Sequence, residues 1–424
     1  MRPIHYMGNK SRYLKAIEEA VDGVAPPGRA ACDLFAGTSV VSRRLARKRP
    51  VLSADVQMYS QVLARALTHP TRFSASDGEA ILAAAEAWLS QMRRDTRDLL
   101  EYETRALENA PRDPAALAQL IEAGSFAFKD QLDPDLVRAK ARAANSLTPT
   151  SATLTWYYGG AYFSYAQALT LDALRYAART VGGRDDTVVA AIMGAASDAV
   201  STVGNHFAQP VQPRGRDGSI KRNWIASVAR RRDYSILLGF AEWLARYGRL
   251  TPVAHQVRSI QADFRSTLST MGPDIGVIYA DPPYTRDHYS RFYHVLETIA
   301  LDDDPGVTRS AGSTQPSRGL YRKSRHQSPF SIRSQAAHAF EFLFSRAGAL
   351  GVPVVLSYSP MSDGTRARPE TRLMSIDELA GVAASHFRFV DIVPIEESTH
   401  SMFNRAEVSV QTSGAAEVVL VAKN

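Results

Sequence analysis

An α/β domain interrupted by a long helical insertion is the fold class that three features of this 424-residue sequence predict. Strand-like apolar runs cluster at its two ends. The stretch between them carries apolar residues at helical spacing, and the run IGVIYA (275–280) stops at the rigid turn Asp281-Pro282-Pro283-Tyr284. The expected division is 1–68 and 251–424 for the two pieces of the α/β domain, and 69–250 for the insertion.

The first piece opens with a short helix, then the strand-like ACDLFAG, a helix through SVVSRRLARK and a second strand VLSADV, which together make a βαβ unit. From 70 to 248 the chain turns alanine-rich, as in ILAAAEAWLSQMRRDTRDLLEYETRALENA, and strand-like runs almost vanish. They return in VRSIQADF, IGVIYADPPY, VPVVLSYS and FRFVDIVPI, and in the pair AEVSV (406–410) and EVVLVAK, separated by candidate helices. Both ends of the insertion are expected at one face of the sheet. No internal repeat or extended low-complexity tract interrupts this order.

Composition narrows the function classes. A hydrophobic content of 45% is that of a globular chain with at least one large core, and a net charge of +7 modestly favours an anionic partner. Cys32 is the only cysteine, which excludes an intrachain disulfide and a cysteine-based zinc site. The amino-terminal MRPIHYMGNK lacks the apolar core of a signal peptide, and no apolar run reaches the ~18 residues of a membrane span. A cytoplasmic protein, with no membrane partner, is the expectation.

The chemistry concentrates at strand ends, where open α/β sheets bind ligands. In Asp33-Leu34-Phe35-Ala36-Gly37, a glycine stands at a strand-to-helix turn, so backbone can approach a ligand closely. Asp55 ends the next strand, where doubly wound nucleotide binders place an acid against ribose hydroxyls. The phosphate-cradling GxGxxG pattern is missing, which favours an adenosine ligand without pyrophosphate, such as S-adenosylmethionine. Asp263 ends a further strand and is read either as an acceptor for an adenine amine or as a helix cap.

The proline pair after 275–280 cannot continue a sheet ladder and fixes the turn. An exocyclic amine on a flat base is a poor nucleophile because its lone pair is delocalised into the ring. Asp281 and the carbonyl of Pro282 would each accept one N–H, favouring a pyramidal nitrogen, while Tyr284 would stack on a base flipped out of the duplex. Transfer to an amine requires no metal, and none is expected.

In these motifs the chain resembles the Dam-like alpha group of N6-adenine DNA methyltransferases. The matches are YMGNKSRYL, DLFAGTSVV, the Asp55 strand end, ADF before the catalytic strand, YADPPY and VVLSYS, in the family's order over residues 4–67 and 255–424. The resemblance implies a Rossmann-like, S-adenosylmethionine-dependent methyltransferase sheet with an antiparallel last strand, with AEVSV and EVVLVAK as that hairpin, interrupted by a helical target-recognition domain. It implies that Tyr6, Gly8 and Lys10 line the methionine end of the cofactor and that Phe35, Ala36 and Gly37 form the turn beneath it. Asp33 and Asp281 join that cofactor-binding set, Asp55 the ribose, and Asp263 the adenine amine; Asp281, Pro282, Pro283 and Tyr284 form the catalytic set. Tyr6 and Asn9 stand where many relatives carry tryptophan and glycine, and Lys10 is alternatively a DNA contact.

After the turn, Tyr289, Tyr293 and Glu297 fall on one face of an expected helix, with His294 beside them, and either wall the base pocket or pack. His288 and Tyr289 are nearest the turn. Residues 204–234 hold seven Lys/Arg against two Asp, and 306–334 hold six Lys/Arg with no acid. The second segment reads as a mobile loop that orders on DNA. Double-stranded DNA is therefore the expected partner, contacted by Arg214, Arg216, Lys221, Arg222, Arg230, Arg231, Arg322, Lys323 and Arg325. The aromatic stretch at 156–163 is read as either packing or a surface against the DNA strand. The expected activity is methylation of N6 of adenine in duplex DNA. Its rivals are N4-cytosine or RNA methylation and a non-catalytic DNA-binding protein. A cognate restriction endonuclease is a further candidate partner, although no nuclease motif is evident.

Overall fold

The structure, a computed structural model, describes all residues except 1, 7, 9, 130–132, 203, 205, 287, 311, 360–371 and 396–416. It divides into two compact units, Met1–His69 with Thr251–Ser290 and His326–Asn424, and Pro70–Leu250 with Arg291–Arg325. Residues 291–325, expected with the second α/β piece (251–424), thus pack with the helices.

The first unit is built on seven strands: β1 (Ala30–Asp33), β2 (Val51–Asp55), β3 (Val257–Gln261), β4 (Ile275–Ala280), β5 (Val354–Tyr358), β6 (Phe389–Pro394) and β7 (Val418–Lys423). Their order is β3-β2-β1-β4-β5-β7-β6. The first five strands run parallel, and β7 lies antiparallel between β5 and β6. This is a Rossmann-like methyltransferase sheet with an antiparallel last strand. The hairpin differs from the expected one. Val418 to Lys423 pair with Pro394 to Phe389, and the AEVSV stretch lies outside the described residues.

Both faces of the sheet are covered, which explains the near-continuous apolar runs. Along β4, Ile278 and Ala280 enter a core with Leu52, Phe264, Phe340 and Leu356. Val277 and Tyr279 point the other way, into a core with Ile17, Val21, Leu45 and Val355.

The second unit is helical, with long elements such as Ala75–Asp95, Tyr165–Thr180 and Asp186–Ala199. Ser74 and Ser164 start two of them with capping boxes, satisfying backbone N–H groups that the first turn leaves unpaired. Tyr158, Tyr162 and Phe163 are fully buried, so the aromatic stretch serves packing rather than a DNA surface. The Tyr162 hydroxyl donates to the Phe207 carbonyl at 2.9 Å or to that of Gly319 at 2.8 Å.

Arg232 and Glu103 form a buried ion pair at 2.6 Å, and the other Glu103 oxygen accepts the Tyr165 N–H at 2.7 Å. Breaking such a pair strands a buried charge. We expect Arg232→Met to destabilise the protein by about 3–5 kcal/mol, read as a lower denaturant midpoint; an unchanged midpoint would show that the pair contributes nothing net.

Two further expectations are corrected here. The stretch after the turn is not one helix, because Tyr289–Phe292 and His294–Leu301 are separate helices, broken at Tyr293 where φ is −125° and ψ is 14°. Tyr293 and Glu297 are buried in the helical unit, and His294 is buried against Tyr158 and Tyr162. The loop expected to be mobile carries hydrogen bonds from Thr308 N–H to the Tyr321 carbonyl (2.7 Å) and from Ser317 N–H to the Thr308 carbonyl (2.7 Å). Within it Arg322 is 4% exposed and grips Asp303 with both terminal nitrogens at 2.8 and 2.7 Å, so it is no surface contact for DNA.

Candidate active site

Strands β1 and β4 are neighbours whose onward connections leave toward opposite edges of the sheet, and at such switch points the C-terminal strand ends part to form a crevice. A cleft of about 1110 Å³, counted to its open mouth, lies there within the first unit. The structure brings the whole expected cofactor set to its wall. Tyr6, Gly8, Lys10, Asp33, Phe35, Ala36, Gly37, Asp55, Asp263 and Asp281 all line it, together with Pro282, Pro283 and Tyr284.

The glycine turn is shaped by an acid. Asp55 Oδ2 accepts the Gly37 N–H and Oδ1 the Gln57 N–H, each at 2.9 Å, which locks the end of β2 to the turn after β1. Gly37 has φ +52°, and a Cβ there would stand 2.7 Å from the Tyr6 hydroxyl, so a side chain would fill the cradle. Ser39 is also left-handed at φ 57°, a sparsely populated conformation held by surrounding structure. Burial pushes the Asp55 carboxyl above its ordinary range despite these N–H donors. The Val56 N–H adds a third backbone hydrogen bond, and a carboxylate has about four acceptor sites, so acceptor capacity remains on the cleft wall. An adenosine-type cofactor fits these residues.

The other members are placed less as expected. Burial is the main force raising Asp33 to about 7, opposed by the Ser42 hydroxyl donating at 2.6 Å. Phe35 packs edge-on against Phe330, with ring centroids 5.3 Å apart, as part of a hydrophobic core. Asp263 caps the helix Phe264–Ser269, its Oδ1 taking the N–H groups of Arg265 (2.8 Å) and Ser266 (3.0 Å). It does so on the cleft wall. Burial raises its carboxyl, but the Ser266 bonds outweigh this and leave it below the ordinary range.

At the DPPY turn, sequence reasoning missed half of the electrostatics. Lys10 Nζ lies 3.1 Å from Asp281 Oδ1 and 2.7 Å from Glu417 Oε1, and Lys10 is only 5% exposed. Two carboxylates therefore share one buried ammonium. The Tyr284 ring is flanked by Lys10 at 5.9 Å, by the Arg372 guanidinium at 4.8 Å and by the Tyr358 ring at 4.9 Å. Arg372 is in turn held by the Ser359 carbonyl and hydroxyl, both at 2.7 Å. Glu417 opens the EVVLVAK strand, and its position before a buried strand was the only available signal. Tyr289 and His288 line the cleft as expected, and His326 joins them without having been singled out.

Burial pushes Asp281 up to about 6, opposed by Lys10 and reinforced by Glu417. The sign of the pH effect follows. A raised carboxyl pKa stabilises the fold fully below the unfolded value near ~4, and that contribution is lost as pH climbs through about 6. The role expected of Asp281, accepting an N–H, is served best by the ionised form, so turnover is expected to run the opposite way and rise through the same window. We expect the single-turnover rate to show an inflection near pH 6, and Lys10→Met to move it upward by roughly one to three pH units. A profile that is flat from pH 5 to 8 would exclude Asp281 as the titrating acceptor.

Not all of the expected basic residues are available. Arg214 pairs with Glu122 at 3.0 Å, Arg222 donates to the carbonyls of Pro111 and Arg112, and Arg231 to that of Asp198. Arg216, Lys221, Arg230 and Lys323 are exposed, and Arg325 is half-buried. Among the described residues no cluster suits a metal ion, and no helix is long and apolar enough to cross a membrane.

The sheet order, the Gly37 turn with Asp55 beside it and the DPPY turn at the end of β4 together have the form of a Rossmann-like methyltransferase fold. The family model described as D12 class N6 adenine-specific DNA methyltransferase matches residues 6–119. The chain is 22% identical over 416 residues to the Modification methylase LlaI of Lactococcus lactis subsp. lactis, an alignment that covers 97% of this chain and 53% of the relative. This chain thus spans about half the length of the curated relative it matches. Both comparisons agree with the resemblance carried by the motifs.

Proposed function

We propose that the protein is a site-specific DNA methyltransferase that transfers a methyl group from S-adenosylmethionine to N6 of a flipped adenine in double-stranded DNA. The observation that carries this reading is the meeting of Asp281-Pro282-Pro283-Tyr284 with the Gly37–Asp55 turn on the wall of one cleft. The bound cofactor supplies an electrophilic methyl group. Asp55 takes the ribose hydroxyls and Asp263 the adenine amine, while Tyr6, Gly8 and Lys10 close over the methionine end. Asp281 and the Pro282 carbonyl each accept one N–H of the target amine, so the nitrogen lone pair points out of the base plane. Tyr284 stacks on the base. Lys10 keeps Asp281 ionised and yields it to the incoming amine while remaining paired with Glu417.

The helical unit is the target-recognition part, with Arg216, Lys221, Arg230 and Lys323 as phosphate contacts. The name of the Lactococcus relative supports a modification role, and a cognate endonuclease is the partner to seek. The test is incubation of the purified protein with labelled cofactor and mixed-sequence duplex DNA, followed by digestion to nucleosides. Label in N6-methyladenine is expected. Label in N4-methylcytosine would overturn the base assignment, and transfer to RNA alone would overturn the substrate.

A further inference from the structure

We propose that Arg291 and Arg325, set around the ring of Tyr321, form a clamp for one backbone phosphate of the nucleic-acid substrate. Arg325 belongs to the basic set read from the sequence; Arg291 and Tyr321 do not. The inference rests on the DNA reading above for the identity of its ligand.

Tyr321 is fixed from several sides. Its hydroxyl donates to the Ala208 carbonyl at 2.5 Å, and its ring meets His294 edge-on with centroids 5.3 Å apart. Gly319 makes room for it, since a Cβ there would stand 2.2 Å from a Tyr321 ring carbon. Around this ring lie two guanidinium groups, Arg325 at 5.0 Å and Arg291 at 5.6 Å from the centroid. Ring stacking pre-orients a guanidinium and leaves its N–H fork to point at an oxyanion.

What marks the pair is the lack of a counter-charge. The buried arginines of the same unit are neutralised: Arg175 by Asp172 and Asp302, Arg232 by Glu103, and Arg322 by Asp303. Arg291 and Arg325 have no carboxylate partner among the described residues. Arg291 Nε and Arg325 Nη1 are buried without any hydrogen-bond acceptor. Burial, and next the charge of Arg291, hold Arg325 below its ordinary pKa. Two like charges with unsatisfied N–H groups are an arrangement that an anion completes, and a phosphodiester accepts from both forks at once. In the chain, Arg291 directly follows Ser290 and Arg325 directly precedes His326, two residues that line the cleft.

The experiment uses the full chain and the variant carrying both Arg291→Gln and Arg325→Gln, with duplex DNA binding measured over a range of salt and methyl transfer measured separately. Expected are at least a tenfold loss of DNA affinity and a salt slope shallower by about one, with cofactor affinity unchanged. Wild-type transfer to DNA with an unaltered slope and affinity in the variant overturns the clamp and leaves the methyltransferase reading standing. Loss of DNA affinity in the variant without any wild-type transfer supports the clamp and overturns that reading. Should the double variant not fold, Arg325→Lys carries the test. It keeps the charge but not the fork, so affinity falls while the slope holds; unchanged affinity overturns the proposal.

Discussion

Replacing Asp281 with alanine is expected to slow methyl transfer by about 10²–10³-fold or more while cofactor affinity stays within about threefold. In the proposed mechanism the carboxylate is the charged acceptor at the turn that ends β4, and it acts on the amine rather than on the ribose or adenine side of the cleft. Removing it leaves the Pro282 carbonyl to hold the nitrogen alone, so the lone pair stays delocalised into the base. The variant also releases Lys10 from one of its two acids, and Glu417 at 2.7 Å keeps the ammonium neutralised, which spares the fold. Single-turnover transfer measured beside calorimetric cofactor binding separates the two effects. Near-normal turnover in Asp281→Ala would disprove the mechanism, and a parallel collapse of cofactor binding would make Asp281 a scaffold for the cleft.

Asp55→Ala should act in the opposite order. Its carboxylate accepts two backbone N–H groups, and hydrogen bonds to charged groups contribute about 1.5–3 kcal/mol each. Loss of the Gly37 bond frees a turn that depends on a left-handed glycine, and loss of the carboxylate removes the proposed ribose partner. Cofactor affinity should fall by about 10–100-fold, with the single-turnover rate at saturating cofactor much less affected. Equal cofactor affinity in Asp55→Ala and wild type would show that the diol is held elsewhere. Asp55→Asn refines the result, since an amide retains one acceptor oxygen but cannot take both N–H groups.

The parts of this protein that sequence alone made legible share a physical cause. β1, β2, β4 and β5 are covered on both faces and read as apolar runs, and their ends carry Asp33, Asp55 and Asp281 because a ligand-binding crevice needs polar groups there. Gly37 and the Pro282-Pro283 pair announce turns through backbone constraints that belong to the residue itself. The chemistry of a strand end is local, and local chemistry survives in the one-dimensional order.

What failed to appear was whatever depends on which distant groups meet. Glu417 and Lys10 are 407 positions apart and share one proton-rich contact with Asp281. Arg322 looked like a DNA contact in a basic run until the fold turned it onto Asp303, and Arg325 in the same run finds no acid among the described residues. The regular spacing of Tyr289, Tyr293 and Glu297 promised one helix face, and the break at Tyr293 sends them to different units. By itself, then, the sequence determined the sheet, the order of its strand-end acids and the turn proposed to receive the amine, because strand periodicity and turn chemistry are properties of neighbouring residues. Only the tertiary structure decided which charges are neutralised and which remain open, because pairing and burial depend on side chains that folding alone brings within a few ångströms.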